Sequence, residues 1–232
     1  VLEKNSWVWN AKGNYALNLG KDHFFYPANL PVIGIILQLF SDYRNLKVYY
    51  LPQSFNLGVS ARRNRNFSLS RSENAEAQIQ RDFTAARNFD FKWTFSEGGI
   101  FNPDFRYNVN ILSSLAHLLT DENGMEREDN EIWNDILNGV MFGKDYDYKQ
   151  TFDFKLGPAL PSIFDLNRYF KLNAGYSVSY NWKWNFQQED LGRSAGYRNR
   201  INAGLNLRLK SLMDPLFGDN KPGTKSSTRT PS

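Results

Sequence analysis

From Tyr169 to Gln187 the chain alternates without a break. Phe170, Leu172, Ala174, Tyr176, Val178, Tyr180, Trp182, Trp184 and Phe186 are apolar, while Lys171, Asn173, Gly175, Ser177, Ser179, Asn181, Lys183, Asn185 and Gln187 are polar or small. Successive side chains of a strand point to opposite faces, so this period of two predicts a strand with one apolar and one polar side. A strand of a soluble sandwich shows the same pattern but runs only about 5–6 residues. At about 3.3 Å per residue this one would reach roughly 60 Å, enough to cross a bilayer at a steep tilt and continue beyond it.

Six further segments repeat the pattern. Trp7, Trp9, Ala11, Gly13, Tyr15, Leu17 and Leu19 alternate with Asn10, Lys12, Asn14 and Asn18; Phe55, Leu57, Val59 and Ala61 alternate with Asn56, Gly58, Ser60 and Arg62. Phe89, Phe91, Trp93 and Phe95 form a third set, and Phe105, Tyr107, Val109 and Ile111, set between Asp104, Arg106, Asn108 and Asn110, form a fourth. Phe152, Phe154 and Leu156 alternate with Thr151, Asp153 and Lys155, and Ile201, Ala203, Leu205, Leu207 and Leu209 alternate with Arg200, Asn202, Gly204, Arg208 and Lys210. The short polar turn 188–196 makes the last two strands antiparallel neighbours.

Three connections are too long for hairpins. Residues 20–53 contain prolines that keep them out of a central ladder. Residues 64–82 are read as a loop, with a short helix or mobile stretch over Ser72–Gln80. Residues 118–146 hold a helix from about Asp129 to Asn138, with Asp129 placed to cap it, Ile132, Trp133, Ile136 and Leu137 on one stripe and Gly139 at its end. That stripe must pack back on the sheet's rim or against a partner.

The polar faces distinguish a barrel from a sandwich. They are rich in Asn, Ser and Gly with scattered charge, which suits a water-filled lumen, and aromatic residues gather toward strand ends as an interfacial girdle requires. The expected fold is all-β: a wall section of about seven long antiparallel strands of a transmembrane β-barrel, spanning 1–218, followed by a polar, disordered tail at 219–232. Lys12, Asn14, Asn108, Asn110, Asp153, Lys171, Asn173, Ser177, Asn181, Lys183, Asn202 and Arg208 are expected to face the lumen. Tyr15, Leu17, Phe91, Trp93, Tyr176, Val178, Tyr180, Trp182, Leu205 and Leu207 are expected to face lipid.

The mean hydropathy of −0.57 does not oppose this reading, because only alternate residues of each strand would meet lipid. The longest apolar run, Leu30–Leu37, is interrupted by Pro31 and Gly34 and is far shorter than the roughly 20 residues of a spanning helix. The net charge of +4 is small, and its one dense group, Arg62-Arg63-Asn64-Arg65 with Arg71 beyond, reads as a solvated loop end; nucleic acid is not an expected partner. The absence of cysteine excludes disulfide frameworks and cysteine-based metal sites.

No catalytic constellation is expected, and no cofactor or metal. His23 and His117 are the only histidines and lack a zinc-motif glutamate; Ser113-Ser114 and Ser226-Ser227 lack a nucleophile elbow; no glycine string cradles phosphate. Asp145 and Asp147 beside Tyr146, and Asp121, Glu122, Glu126, Glu128 and Asp129 ahead of the helix, lack EF-hand spacing and read as solvated loop charge.

Particular residues add a resemblance. Leu160-Pro161-Ser162-Ile163-Phe164, Ala174-Gly175-Tyr176-Ser177-Val178, Asn185-Phe186-Gln187, Asp190-Leu191-Gly192-Arg193-Ser194-Ala195-Gly196 and Leu207-Arg208-Leu209-Lys210-Ser211-Leu212 together resemble the outer-membrane translocon of the Bacteroidetes type nine secretion system, the SprA/Sov family. Ser113-Ser114-Leu115-Ala116-His117-Leu118 and Tyr49, Leu51, Pro52, Ser54 and Phe55 look similar to the same family. The resemblance runs from about Trp7 to Gly218 and implies a very large single-chain barrel of the bacterial outer membrane, serving protein secretion and gliding motility by exporting folded proteins. It also implies partners: a shuttle protein at a lateral opening, a periplasmic plug and secreted cargo, besides the lipid bilayer and the rest of the barrel. The family offers no catalytic motif whose residues could be carried over.

About seven strands cannot close a barrel alone, since the smallest single-chain outer-membrane barrels have about eight. With no signal sequence and no Met at position 1, the chain reads as a section of a longer protein. Two other classes compete. A passive porin or nutrient-receptor barrel would pass ions readily and ignore secreted proteins, and a soluble long-stranded surface adhesin would stay in the aqueous phase without detergent.

Overall fold

A computed structural model of the chain describes residues 3–39, 41–70, 77–121, 123–139, 143–161, 166–185 and 192–208. The expected tail at 219–232, Phe186 and Gln187, residues 72–76 of the expected helical stretch, Glu122, and the alternation at Leu209 and Lys210 lie outside those residues.

All seven expected strands form, and they make one antiparallel sheet. In chain order the elements are β1 (Glu3–Asn18), β2 (Phe24–Phe25), α1 (Pro31–Leu39), β3 (Lys47–Tyr49), β4 (Ser54–Leu69), β5 (Gln78–Thr94), β6 (Ser96–Glu97), β7 (Pro103–Ser114), α2 (Asp129–Asn138), β8 (Lys144–Leu156), α3 (Leu166–Tyr169), β9 (Phe170–Trp184) and β10 (Arg193–Leu207). The large sheet runs β1-β4-β5-β7-β8-β9-β10, so every strand pairs with the next long strand in sequence. A small sheet β2-β3-β6 sits at one end of it. The opposite end carries α2.

Several boundaries differ from the sequence reading. β9 has 15 residues, or about 50 Å: Tyr169 closes the short helix α3 instead of opening the strand, and Asn185 lies past its end. The 64–82 loop is largely strand: β4 continues through Asn64–Leu69 and β5 begins at Gln78. The arginine run 62–65 therefore lies within a strand and not at a solvated loop end. Its charges are tolerated there because acidic residues of the 115–139 segment come over to meet them.

The strands step as they cross the sheet. Aligned by hydrogen-bond register, the midpoint of β10 lies about seven residues farther toward the small-sheet end than that of β1, six strands away. With about 3.3 Å per residue and about 4.8 Å between strands, the strands are tilted roughly 40° from the perpendicular to the line of midpoints.

α2 forms over the expected residues, and its apolar stripe packs on the sheet's apolar face. Ile132 (1 % exposed) joins Phe83, Ala85, Leu115 and Leu119 in the one buried hydrophobic cluster of the described residues, with Ala61, Leu118 and Ile136 against it. Trp133 meets Trp9 edge to face at 5.1 Å. Asp129 does not cap the helix: Glu128 holds the N-cap position without a side-chain bond, and the Asp129 carboxylate pairs with Arg63. Gly139 closes the helix, its amide donating to Asp135 O.

The small sheet is anchored by polar contacts. Gln53 Nε2 donates to Thr94 O at 3.1 Å while Thr94 N donates back to Gln53 Oε1, and the Trp93 indole donates to Tyr49 O at 3.1 Å. Tyr49 Oη donates to Glu97, which also pairs with Lys21.

Candidate functional site

Because cross-strand partners project from the same side, the register assigns every long-strand residue to one of two faces. One row of the first face reads Tyr15, Leu57, Phe89, Val109, Gln150, Tyr180, Tyr197, and the next reads Leu17, Phe55, Phe91, Tyr107, Phe152, Val178, Asn199. A row of the second face reads Asn14, Gly58, Asn88, Asn110, Lys149, Asn181, Gly196, and the next reads Ala16, Asn56, Asp90, Asn108, Thr151, Ser179, Arg198. The periods read from separate segments thus combine into one apolar surface and one polar surface.

The residues expected to face lipid, namely Tyr15, Leu17, Phe91, Trp93, Tyr176, Val178, Tyr180, Trp182, Leu205 and Leu207, all lie on the apolar side. Those expected to face the lumen, namely Lys12, Asn14, Asn108, Asn110, Asp153, Lys171, Asn173, Ser177, Asn181, Lys183 and Asn202, all lie on the other. Arg208 stands one residue past β10, its amide donating to Tyr169 O at 2.9 Å.

On the polar surface five cross-strand pairs set a glycine against an asparagine, and three of them are closely fitted: Gly58 with Asn88, Gly196 with Asn181, and Gly204 with Asn173. In each of these three a Cβ on the glycine would collide with the amide group, so the amide occupies the space above the glycine backbone. The result is a surface of close-fitted amides and hydroxyls. Charge of both signs stands among them, basic residues outnumbering acidic ones, as where Asp90 accepts from Asn108 at 3.1 Å and Lys183 pairs with Asp147 at 3.4 Å. Near the helix end β7 stops at Ser114, opposite the first residue of β8, while β5 runs on to Gln78, and an open cleft of about 550 Å³ has walls that include Asn64, Asp82, Asp147 and Lys183.

The apolar surface is graded along the strands. Its charged strand residues Glu3, Arg63, Arg65, Arg81, Asp145 and Arg193 lie in the half toward α2, and Arg87 stands just past the middle of β5. Runs of 9 residues in β4 (Ser54–Arg62) and 11 in β8 (Tyr146–Leu156) place no charge on this face, and 9–11 residues is the length of a tilted membrane-crossing strand. Aromatic rings gather along it, with Phe55–Phe89, Phe89–Tyr107 and Phe105–Phe154 centroids 5.1, 5.9 and 5.0 Å apart. Gln150 interrupts it, but its carbonyl accepts from Tyr148 Oη at 2.7 Å and is 3.4 Å from Tyr107 Oη.

Periodicity did not reveal the charge pairing at the helix end. Arg65 and Arg81 both reach Glu126, at 2.8 and 3.5 Å, and Arg63 meets Asp129. Arg87 Nη2 donates to Ser113 Oγ at 3.0 Å and to Asp145 Oδ1 at 2.5 Å, with Ser113 Oγ donating to the same carboxylate at 2.6 Å. The acidic residues read as solvated loop charge are in these three cases the partners of arginines on the apolar face. Their signal was the coincidence of an unexplained basic run with an unexplained acidic loop.

At the other end, hydrogen bonding to Lys21, joined more weakly by that to Tyr49, holds the Glu97 carboxyl below the usual carboxylate range against the opposing effect of burial. Burial and then the Glu97 hydrogen bond push the Tyr49 hydroxyl up to about 12. Both groups keep their bonding forms at neutral pH. Among the described residues no group of three or more His, Asp or Glu side chains is placed to hold a metal ion. Comparison with known protein families and with functionally described proteins finds no match to this chain, so its reading rests on the two faces themselves.

Proposed function

We propose that this chain is a section of the wall of a large outer-membrane β-barrel, with its apolar face in lipid and its polar face lining a water-filled pore through which folded proteins leave the periplasm. The observation that carries the reading is the combination of a seven-strand sheet with one continuous apolar face that, among the described residues, is covered only by the α2 patch and at the small-sheet end. Ile201 is 76 % exposed, Tyr15 58 % and Leu205 57 %. Soluble monomers rarely expose contiguous apolar patches larger than a few hundred Å²; in a bilayer such a face is the ordinary condition. The strand tilt of roughly 40° supports the same reading, since barrel strands tilt by about 35–45°.

Closure then requires further strands. β1 and β10 have no partner on their outer sides among the described residues, and an open edge is not tolerated in lipid. In an up-and-down order of seven the two edge strands run in the same direction, so an antiparallel barrel is completed by an odd number of additional strands. That makes the total even, as in bacterial single-chain outer-membrane barrels.

The polar face supports protein export over tight solute binding. A lining of Asn, Ser, Thr and Gly interspersed with charged side chains offers no apolar patch to which a passing folded protein would adhere. By the resemblance stated above, a shuttle protein, a plug and secreted cargo would be the partners. The test is a photo-crosslinking amino acid placed at Ser177, Asn181 or Asn108 in the complete protein in living cells. Secreted proteins should be captured from these positions and not from Val178 or Phe91. Efficient export with no cargo captured at any polar-face position would overturn the reading.

A further inference from the structure

We propose that α2 is an interfacial helix that seats on the bilayer surface and fixes the depth of the wall, the groove beneath it taking a phospholipid acyl chain. This deepens the barrel reading and rests on it. The helix lies on the apolar face, not at the rim: Trp133 meets Trp9, Ile132 reaches Phe83, and Asp129 pairs with Arg63, all at one level of the strands. Its C-terminal half continues toward the charge-free band. There Ile136, Leu137 and Trp133 form one wall of a groove of about 420 Å³ whose floor includes Ala11, Val59 and Ala85. Leu137 is 80 % exposed beside that groove and Trp133 38 %.

Four features select a lipid as the occupant. The groove is continuous with the uncovered apolar band, so whatever covers the band reaches the groove. Its lining is almost wholly apolar, which suits an acyl chain. The strand residues flanking it on the side away from the band are Arg63, Arg65 and Arg81, whose acidic partners are Asp129 and Glu126. That set keeps one positive charge over its acids, at the level where snorkelling arginines meet lipid phosphates. Finally, α2 carries Glu131, Asn134 and Asp135 on the side away from its apolar stripe, the division expected of a helix lying in the headgroup plane.

The test uses the complete barrel reconstituted in vesicles of phosphatidylethanolamine and phosphatidylglycerol, with single nitroxide labels at Leu137, Glu131, Val178 and Ser177. Collision with oxygen, which concentrates in lipid, is compared with collision with a water-soluble nickel chelate. The oxygen-to-nickel ratio at Leu137 should exceed that at Glu131 several-fold and approach that at Val178. A high ratio at Val178 with equal ratios at Leu137 and Glu131 would overturn the inference and leave the barrel reading standing. Shielding of Leu137 from both reagents would also overturn it, by showing a protein on the helix. Equal ratios at Val178 and Ser177 would remove the barrel reading and this inference with it.

Discussion

Val178 and Ser177 are adjacent in β9 yet belong to opposite faces, and neighbouring substitutions can separate lipid from water. Val178 lies in the row of Leu17, Phe55, Phe91, Tyr107 and Phe152, well inside the charge-free band. Val178→Arg is expected to cost about 2–4 kcal/mol in folding into a bilayer, as a charge on the lipid face near the midplane does, whereas Ser177→Arg should cost little. Folding titrations of the complete protein measure both, and a larger loss for Ser177→Arg would reverse the assignment of inside and outside. Glu97 gives a second residue-scale prediction. Its carboxyl is held below the usual range, so its bonds to Lys21 and Tyr49 stabilise the small sheet above the ordinary carboxylate value of 4.5. That stability is lost as pH falls below this value through the lowered one. Hydrogen exchange at the Tyr49 amide, bonded to Phe95 O, should therefore show less protection in acid than at neutral pH, and Glu97→Gln should flatten the difference. An unchanged pH dependence in that variant would show that another group controls the small sheet. Which face of the sheet a residue occupies was legible in the sequence because it needs only the parity of a position. The bonds of Arg63 and Arg87 were not, since their partners Asp129 and Asp145 lie 66 and 58 residues away.

Among the elements, α2 shows what local pattern can and cannot specify. Its length and apolar stripe followed from the spacing of Ile132, Trp133, Ile136 and Leu137 and from Gly139. Its seat did not, because the receiving surface of Ala61, Phe83 and Leu115 comes from three other segments. Ile132 is 1 % exposed within that cluster, and its truncation to Ala should destabilise the docked helix by about 2–5 kcal/mol. Limited proteolysis of the 119–139 segment should accelerate in Ile132→Ala while the strands stay protected; unchanged cleavage would mean the helix is held by something other than this cluster. The strands show the converse. Their existence was plain from alternation, but β4 and β5 run farther than alternation alone suggested. Charged residues on the apolar face at Arg63, Arg65 and Arg81 broke the pattern just where the 115–139 segment supplies acids to pair with them. A periodic reading treats such a residue as the end of a strand, whereas a partner from elsewhere in the chain lets the strand continue.

At the scale of the molecule, the small buried core and the wide open faces are one fact seen twice. The hydrophobic residues that a soluble domain would fold inward stand along one face of a sheet, and the polar residues that would meet solvent line the other. The seven-strand sheet was anticipated from the number of alternating segments and from their sequential order, which favours neighbours pairing with neighbours. The small sheet β2-β3-β6 was not, because its strands have only two or three residues each and carry no period. The central claim is that one face meets lipid and the other water, and site-by-site labelling along β9 tests it most directly. Single cysteines at Tyr176, Val178 and Tyr180, and at Lys171, Ser177 and Asn181, can be introduced into the complete protein in the outer membrane; this chain has no cysteine of its own to interfere. A membrane-impermeant maleimide should label the second set and spare the first, with a lipid-phase probe giving the reverse. Equal aqueous labelling of both sets would contradict the assignment.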